Sequence, residues 1–350
     1  MILKIISVCL ASIAISLAGS HSASAQDVDD LFANHNVVDV TITAPFEQIM
    51  LDRPEDEYVP AKFDYVAADG TAHSLDIGIR TRGKFRRRRD ICPFAPLRVN
   101  YRKKQLDGTS FDKQDKLKLV THCRNGSKQY DQTVVAEYLA YRILNVLTDV
   151  SFRVRLMRVK YVYADDDNDT VEAYAFFIEH KEGLEKRLQL PAKEIRKIST
   201  RELQPEHGNL VSVFHYLIGN TDFSPVLGPP GEFCCHNHEL FGNEEPPYWS
   251  IPYDFDQSGF VNARHASPNP RFKLRSVRQR LYRGRCVNNM HLPDTLELYQ
   301  AKRSEIETLI NDQPELTDRT RKHMLSFVGD FYETISDPKK VDRQMIKACI

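Results

Sequence analysis

The chain is 350 residues long, sets 48 Lys and Arg against 48 Asp and Glu, and is 41% hydrophobic. A charge balance this even excludes a general nucleic-acid binder, and no stretch is long and apolar enough for a membrane span. The length suits two lobes or one large α+β domain with a sizeable core.

Residues 1–25 read as a secretory signal peptide. Lys4 supplies the positive start, Ile5–Leu17 the apolar stretch, and Ala23-Ser24-Ala25 the small-residue cleavage pattern. The expected mature protein begins near Gln26 and is soluble, in a bacterial periplasm or outside the cell. Loss of Lys4 leaves 47 basic against 48 acidic residues, a net charge of −1. Six cysteines remain once Cys9 is removed, an even number that favours disulfides in an oxidising compartment.

The first third alternates as strands do. Val37–Thr43, Ala61–Val66 and Leu75–Thr81 show partial period-two patterns, and Asp69-Gly70 is a hairpin turn between the last two. Leu97–Tyr101 and Leu117–Thr121 continue the pattern, with the turn signal Asp107-Gly108 between them. An antiparallel sheet is expected. Cys92 opens one strand-like run and Cys123 closes another, so antiparallel pairing brings them together.

A helix is predicted over Asp131–Leu147, where Val134, Tyr138, Tyr141 and Leu144 recur at helical spacing. Glu137 shares their face, either at its edge or paired with a buried cation. Phe152–Tyr163 and Val171–Glu179 read as strands joined by the acidic Ala164–Thr170, which lacks the Gly and final Glu of a calcium loop. Helical patterns follow at Leu184–Leu188, Asn209–Ile218, Thr295–Ile310 and Asp318–Ile335. This segregated order predicts α+β, with a β-rich first lobe over residues 26–180 and a mostly helical second lobe over residues 181–350.

Two runs are strongly basic, Arg80–Arg89 and Arg271–Arg285. Each alone reads as a solvated face; two runs flanking one site favour an anionic ligand. Arg86–Arg89 is either a solubilising hairpin tip or a lid that touches phosphates.

Candidate chemistry concentrates in Gly219–Phe241 and Trp249–Gly259. Cys234, Cys235, His236 and His238 suggest zinc, but adjacent cysteines rarely share one tetrahedral ion. His236-Asn237-His238 matches a nuclease triplet only over three letters. These two histidines read as structural or surface residues, and His215 as a satisfied core residue. A third reading takes Asp222 after a helix, Asn237 beyond a Pro- and Gly-rich insertion, and Asp254 at a strand end. A catalytic carboxylate, a metal-ligating amide and a metal-ligating carboxylate are the parts of a phosphoryl-transfer site. Asp256 is a second candidate ligand, provided the strand ends before it.

Six ordered segments resemble the CotH family of atypical secreted protein kinases and, more distantly, HipA-like kinases. They are Ile77–Gly83, Pro96–Tyr101, Lys116–Leu144, Tyr174–His180, Leu217–Ser224 and Ile251–Gly259. The resemblance implies a two-lobed protein-kinase-like fold with nucleotide between the lobes. It matches Asp222 to the catalytic aspartate and Asp254 to the metal-binding one. Glu137 resembles the helix glutamate that pairs with a nucleotide-contacting cation, for which Arg98 and Lys118 both stay open. Glu179 ends the strand that resembles the interlobe hinge, where backbone groups meet a nucleobase. The insertion after Asp222 is longer than the family's, and Asn100 stands where family members often carry Lys. The expected activity is magnesium- or manganese-dependent transfer from ATP or another nucleotide to a hydroxyl on a protein or envelope glycan. The rivals are a non-catalytic binding module and a metal-dependent hydrolase using the same aspartates.

Overall fold

The computed structural model describes residues 30–167 and 169–350; the signal-peptide reading lies outside them. In chain order the elements are α1 (Asp30–Ala33), β1 (Val38–Ala44), α2 (Phe46–Asp52), β2 (Val59–Val66), β3 (Ala72–Thr81), β4 (Leu97–Tyr101), β5 (Lys116–Val120), α3 (Lys128–Leu147), β6 (Val154–Tyr163) and β7 (Thr170–Ile178). They continue with α4 (Lys181–Leu188), α5 (Pro205–Ile218), β8 (His238–Phe241), β9 (Trp249–Pro252), α6 (Leu292–Ala301), α7 (Arg303–Asn311), α8 (Asp318–Ile335) and α9 (Pro338–Val341).

The first seven strands close into a barrel in the order β1-β2-β3-β4-β5-β7-β6. Every neighbouring pair is antiparallel except the closing one, where β1 runs parallel to β6 from Val38↔Met157 to Ala44↔Tyr163. Alternation sends one side chain in two to the interior: Val40 and Ile42, Ile77 and Ile79, Leu97 and Val99, Leu117 and Leu119, Met157 and Val159. Phe63, Tyr101, Phe111 and Phe177 fill the space between them in edge-on and tilted contacts.

The two-lobed kinase-like fold, with an open β-rich lobe and a mostly helical second lobe, is therefore corrected. The β1–β6 ladder removes the free edges of the expected antiparallel sheet and makes a mixed closed barrel. Beyond it the helices are interrupted by long irregular segments and by the β8–β9 hairpin.

A second core lies outside the barrel. The outward residues Val120, Leu156, Phe176 and Ile178 pack on α3, which also meets α7, and the same continuous cluster takes in residues of α5, α8 and the β8–β9 hairpin. Helix α3 is thus buried nearly all round, which explains why both of its apolar stripes are needed. Disulfides join Cys92 to Cys123, as the sequence suggests, and Cys286 to Cys349; the neighbours Cys234 and Cys235 are also bonded to each other. Among the described residues no helix is long and apolar enough to cross a membrane.

Candidate functional site

Three sequence candidates meet at one end of the β8–β9 hairpin. Helix α5 stops at Gly219, whose φ of +64° turns the chain; a Cβ there would lie 2.9 Å from the Phe327 ring. Asn220 then accepts the Asp222 N–H at 2.9 Å. Ser224 and His236 pair antiparallel, so the intervening insertion loops out and returns the chain to Asp222. His236 Nε2 lies 2.9 Å from Asp222 Oδ1, and Asn237 Nδ2 lies 3.1 Å from Oδ2 and 2.7 Å from the Asp222 carbonyl. With its amide nitrogen committed to two acceptors, Asn237 presents its amide oxygen with no protein partner among the described residues.

Asp254 is drawn in from the other strand. Tyr253 N–H donates to the Asn237 carbonyl at 3.0 Å, which extends the β8–β9 ladder by one rung. Asn237 and Asp254 both take left-handed backbone, with φ of +54° and +63°. Such conformations cost non-glycine residues on the order of 1 kcal/mol and cluster at functional sites. The Asp254 N–H donates to the Tyr141 hydroxyl at 2.8 Å, whereas its carboxylate accepts no hydrogen bond from any described residue. Burial raises this carboxyl to about 6; Asp256 and Asp222 push the same way, while Arg82 and Arg86 oppose.

The barrel wall supplies the opposite charge. Arg98 on β4 and Lys118 on β5 are directly paired across the ladder and project outward, while Leu97, Val99, Leu117 and Leu119 point in. Arg80 sits opposite Arg98 on β3, making a row of like charges, and Arg82 follows it. Like charges directly opposite one another across a ladder are destabilising. None of Arg80, Arg82, Arg98 and Lys118 forms an ion pair among the described residues. Lys118 lies 4.5 Å from the Tyr253 ring centre, and Arg98 is 3.4 Å from His180. Burial, then Arg82, lowers Lys118 to about 8, and Asp254 and Glu239 pull it back up.

Behind this cleft is a buried ionic network in which two expectations are corrected. Glu137 meets neither Arg98 nor Lys118; its neighbour is Arg86, at 3.5 Å, which also donates to the Thr121 carbonyl at 2.8 Å. Asp256 is not an open ligand, because His265 holds it at 2.7 Å and Arg86 stands 3.8 Å away. Burial pushes Asp256 up, but His265 and Arg86 outweigh that and leave it below the usual carboxylate range. The Glu179 carboxylate at the end of β7 is held by Arg187 at 2.9 and 3.1 Å and accepts the Arg153 N–H at 3.0 Å.

The sequence reading missed His236, Arg82 and Arg86 as members of the constellation. His236 stands beside Asn237, and both arginines lie in a run whose composition was visible but whose periodicity singled out no residue. The second basic run reaches the same place: Arg283 donates to the Thr221 and Phe223 carbonyls that bracket Asp222. The zinc reading fails at Cys234 and Cys235, which are bonded to each other. Compared with known proteins, the chain matches no family model and no curated protein.

Proposed function

We propose that this protein is a magnesium-dependent phosphotransferase that moves a phosphoryl group from a nucleoside triphosphate, or a related phosphoanhydride, to a hydroxyl. The observation that carries this reading is the Asp254 carboxylate, with no hydrogen bond among the described residues, in the electrostatic field of Arg82 and Lys118, which form no ion pair among them. A polyphosphate with a bound divalent ion satisfies both sides at once.

The residues fit such an ion. The Asp254 carboxylate and the Asn237 amide oxygen are hard oxygen donors without competing hydrogen bonds among the described residues, and magnesium uses few protein ligands beside waters and phosphate oxygens. When bound, the ion neutralises charge on the phosphates. Arg82, Lys118 and Arg98 hold the donor's remaining negative oxygens. Asp222, fixed by His236 and Asn237, orients the attacking hydroxyl and accepts its proton. Taken with residues 1–25 as an export signal, the acceptor is a hydroxyl on an envelope protein or glycan. The chemistry suggested by the resemblance to CotH-like kinases is kept here without their two-lobed architecture.

A second reading, phosphoester or phosphoanhydride hydrolysis, is favoured by one contact. The His236–Asp222 hydrogen bond is a pair suited to activating water. Labelled γ-phosphate, magnesium and candidate acceptors discriminate. Transfer to acceptor that is lost in Asp222→Ala and Asp254→Ala supports the phosphotransferase. Acceptor-independent phosphate release supports hydrolysis. Neither transfer nor release refutes both and leaves a binding module.

A further inference from the structure

Beneath the site runs a buried chain of side chains that the proposed chemistry does not use. Asn220 is fully buried, and His215, His238 and Ser250 are almost so. Asn220 Nδ2 is 3.3 Å from His215 Nδ1, His215 Nε2 is 2.9 Å from His238 Nε2, and His238 Nδ1 is 2.9 Å from the Ser250 hydroxyl. His215 is also stacked on Phe223, with ring centres 3.7 Å apart, so its ring plane is fixed.

The hydrogen atoms in this chain have one consistent arrangement. Asn220 must offer its oxygen to the Asp222 N–H, so its amide nitrogen faces His215. His215 Nδ1 then accepts, which puts the ring proton on Nε2. At 2.9 Å, His238 Nε2 must present a lone pair to that proton, so His238 carries its own proton on Nδ1 and donates to Ser250. The Ser250 hydroxyl is left to donate to the Cys235 sulfur, 4.0 Å away. Any other tautomer sets two protons or two lone pairs against each other.

We infer that Asn220, His215, His238 and Ser250 form a one-directional hydrogen-bond relay, and that its end, Asn220, is the positioning residue for Asp222. The relay keeps the Asn220 amide from flipping, because a flip would turn N–H toward the Asp222 N–H. It also joins the elements that carry the site: Asn220 precedes Asp222 by two residues, His238 follows Asn237, and Ser250 lies on the strand leading to Asp254. Two buried histidines thus act as fixed dipoles rather than as acids or metal ligands.

The positioning role rests on the proposed function, while the relay does not, and the test separates them. Nitrogen-15 NMR of the full protein, with histidine labelled, reads the tautomers directly. His215 protonated on Nε2 and His238 on Nδ1 is the expected result; the opposite tautomer at either residue, or a charged ring, overturns the relay. In phosphoryl transfer, Asn220→Ala is expected to lower kcat roughly 10–100-fold with donor KM nearly unchanged, as loss of a supporting hydrogen bond does elsewhere. Asn220→Ser, whose hydroxyl can accept the Asp222 N–H, is expected to recover most of that loss. An unchanged kcat in Asn220→Ala, or equal loss in Asn220→Ser, overturns the positioning role. Wild-type protein that transfers no phosphate refutes the proposed function, and the tautomers still decide the relay.

Discussion

Glu137→Gln separates two physical pictures of the buried network. Glu137 is 1% exposed, and its only ion-pair contact among the described residues, with Arg86, is long at 3.5 Å, while Arg86 is held closer by the Thr121 carbonyl. Burial raises the Glu137 carboxyl from 4.5 to about 8, against the pull of Arg86 and with the push of Asp256 and Asp254. In the folded protein Glu137 therefore keeps its proton at neutral pH, while in the unfolded chain it releases it above pH 4.5. The folded state binds the extra proton, so the wild type loses stability as pH rises from about 4.5 to about 8. At 1.36 kcal/mol per unit the loss is on the order of a few kcal/mol. Glutamine copies the neutral acid and carries no such dependence. Thermal unfolding should show the variant near the wild type at pH 5 and more stable at pH 8.5, by roughly 5–10 °C. If Glu137 is instead an ionised partner of Arg86, breaking the pair costs about 3–5 kcal/mol at neutral pH and above. A variant clearly less stable than the wild type at pH 8.5 refutes the reasoning.

Other outcomes follow from the same structure. Lys118→Met and Arg98→Ala should each weaken binding of magnesium–ATP roughly 10–100-fold by calorimetry, the equivalent of one charge-assisted hydrogen bond. Arg187→Met strands the buried Glu179 and should cost about 3–5 kcal/mol in urea unfolding, yet leave donor affinity unchanged. The Cys286–Cys349 bond closes a separation of 63 residues, so the double serine variant should lose up to about 4 kcal/mol under oxidising conditions.

The strands were legible because alternation survives tertiary context: Leu75, Ile77 and Ile79 on β3, and Leu97, Val99 and Tyr101 on β4, all point into the barrel. Closure was not legible. Val38 pairs with Met157 across most of the first half of the chain, and period two reads the same in an open sheet as in a barrel. Asp222, Asn237 and Asp254 were visible as polar residues at the ends of regular elements, and they do converge. Asp256 was misassigned because the left-handed Asp254 swings the chain so that the next carboxylate meets His265. The cation beside Glu137 was missed because Arg86 lies in an irregular loop, where no repeat says which arginine turns inward. The Arg187 partner of Glu179 was not legible, because it sits eight residues on in α4 and strand periodicity carries no trace of it.

The central claim is that Asp254 and Asn237 grip a divalent ion under a donor's phosphates. Crystals of the full protein grown with manganese and a non-hydrolysable nucleoside triphosphate, with anomalous scattering recorded at the manganese edge, test it most directly. The expected result is a peak bonded to the Asp254 carboxylate and the Asn237 amide oxygen, with phosphate oxygens reaching Lys118 and Arg82. A nucleotide bound elsewhere, or no manganese peak at Asp254, contradicts it.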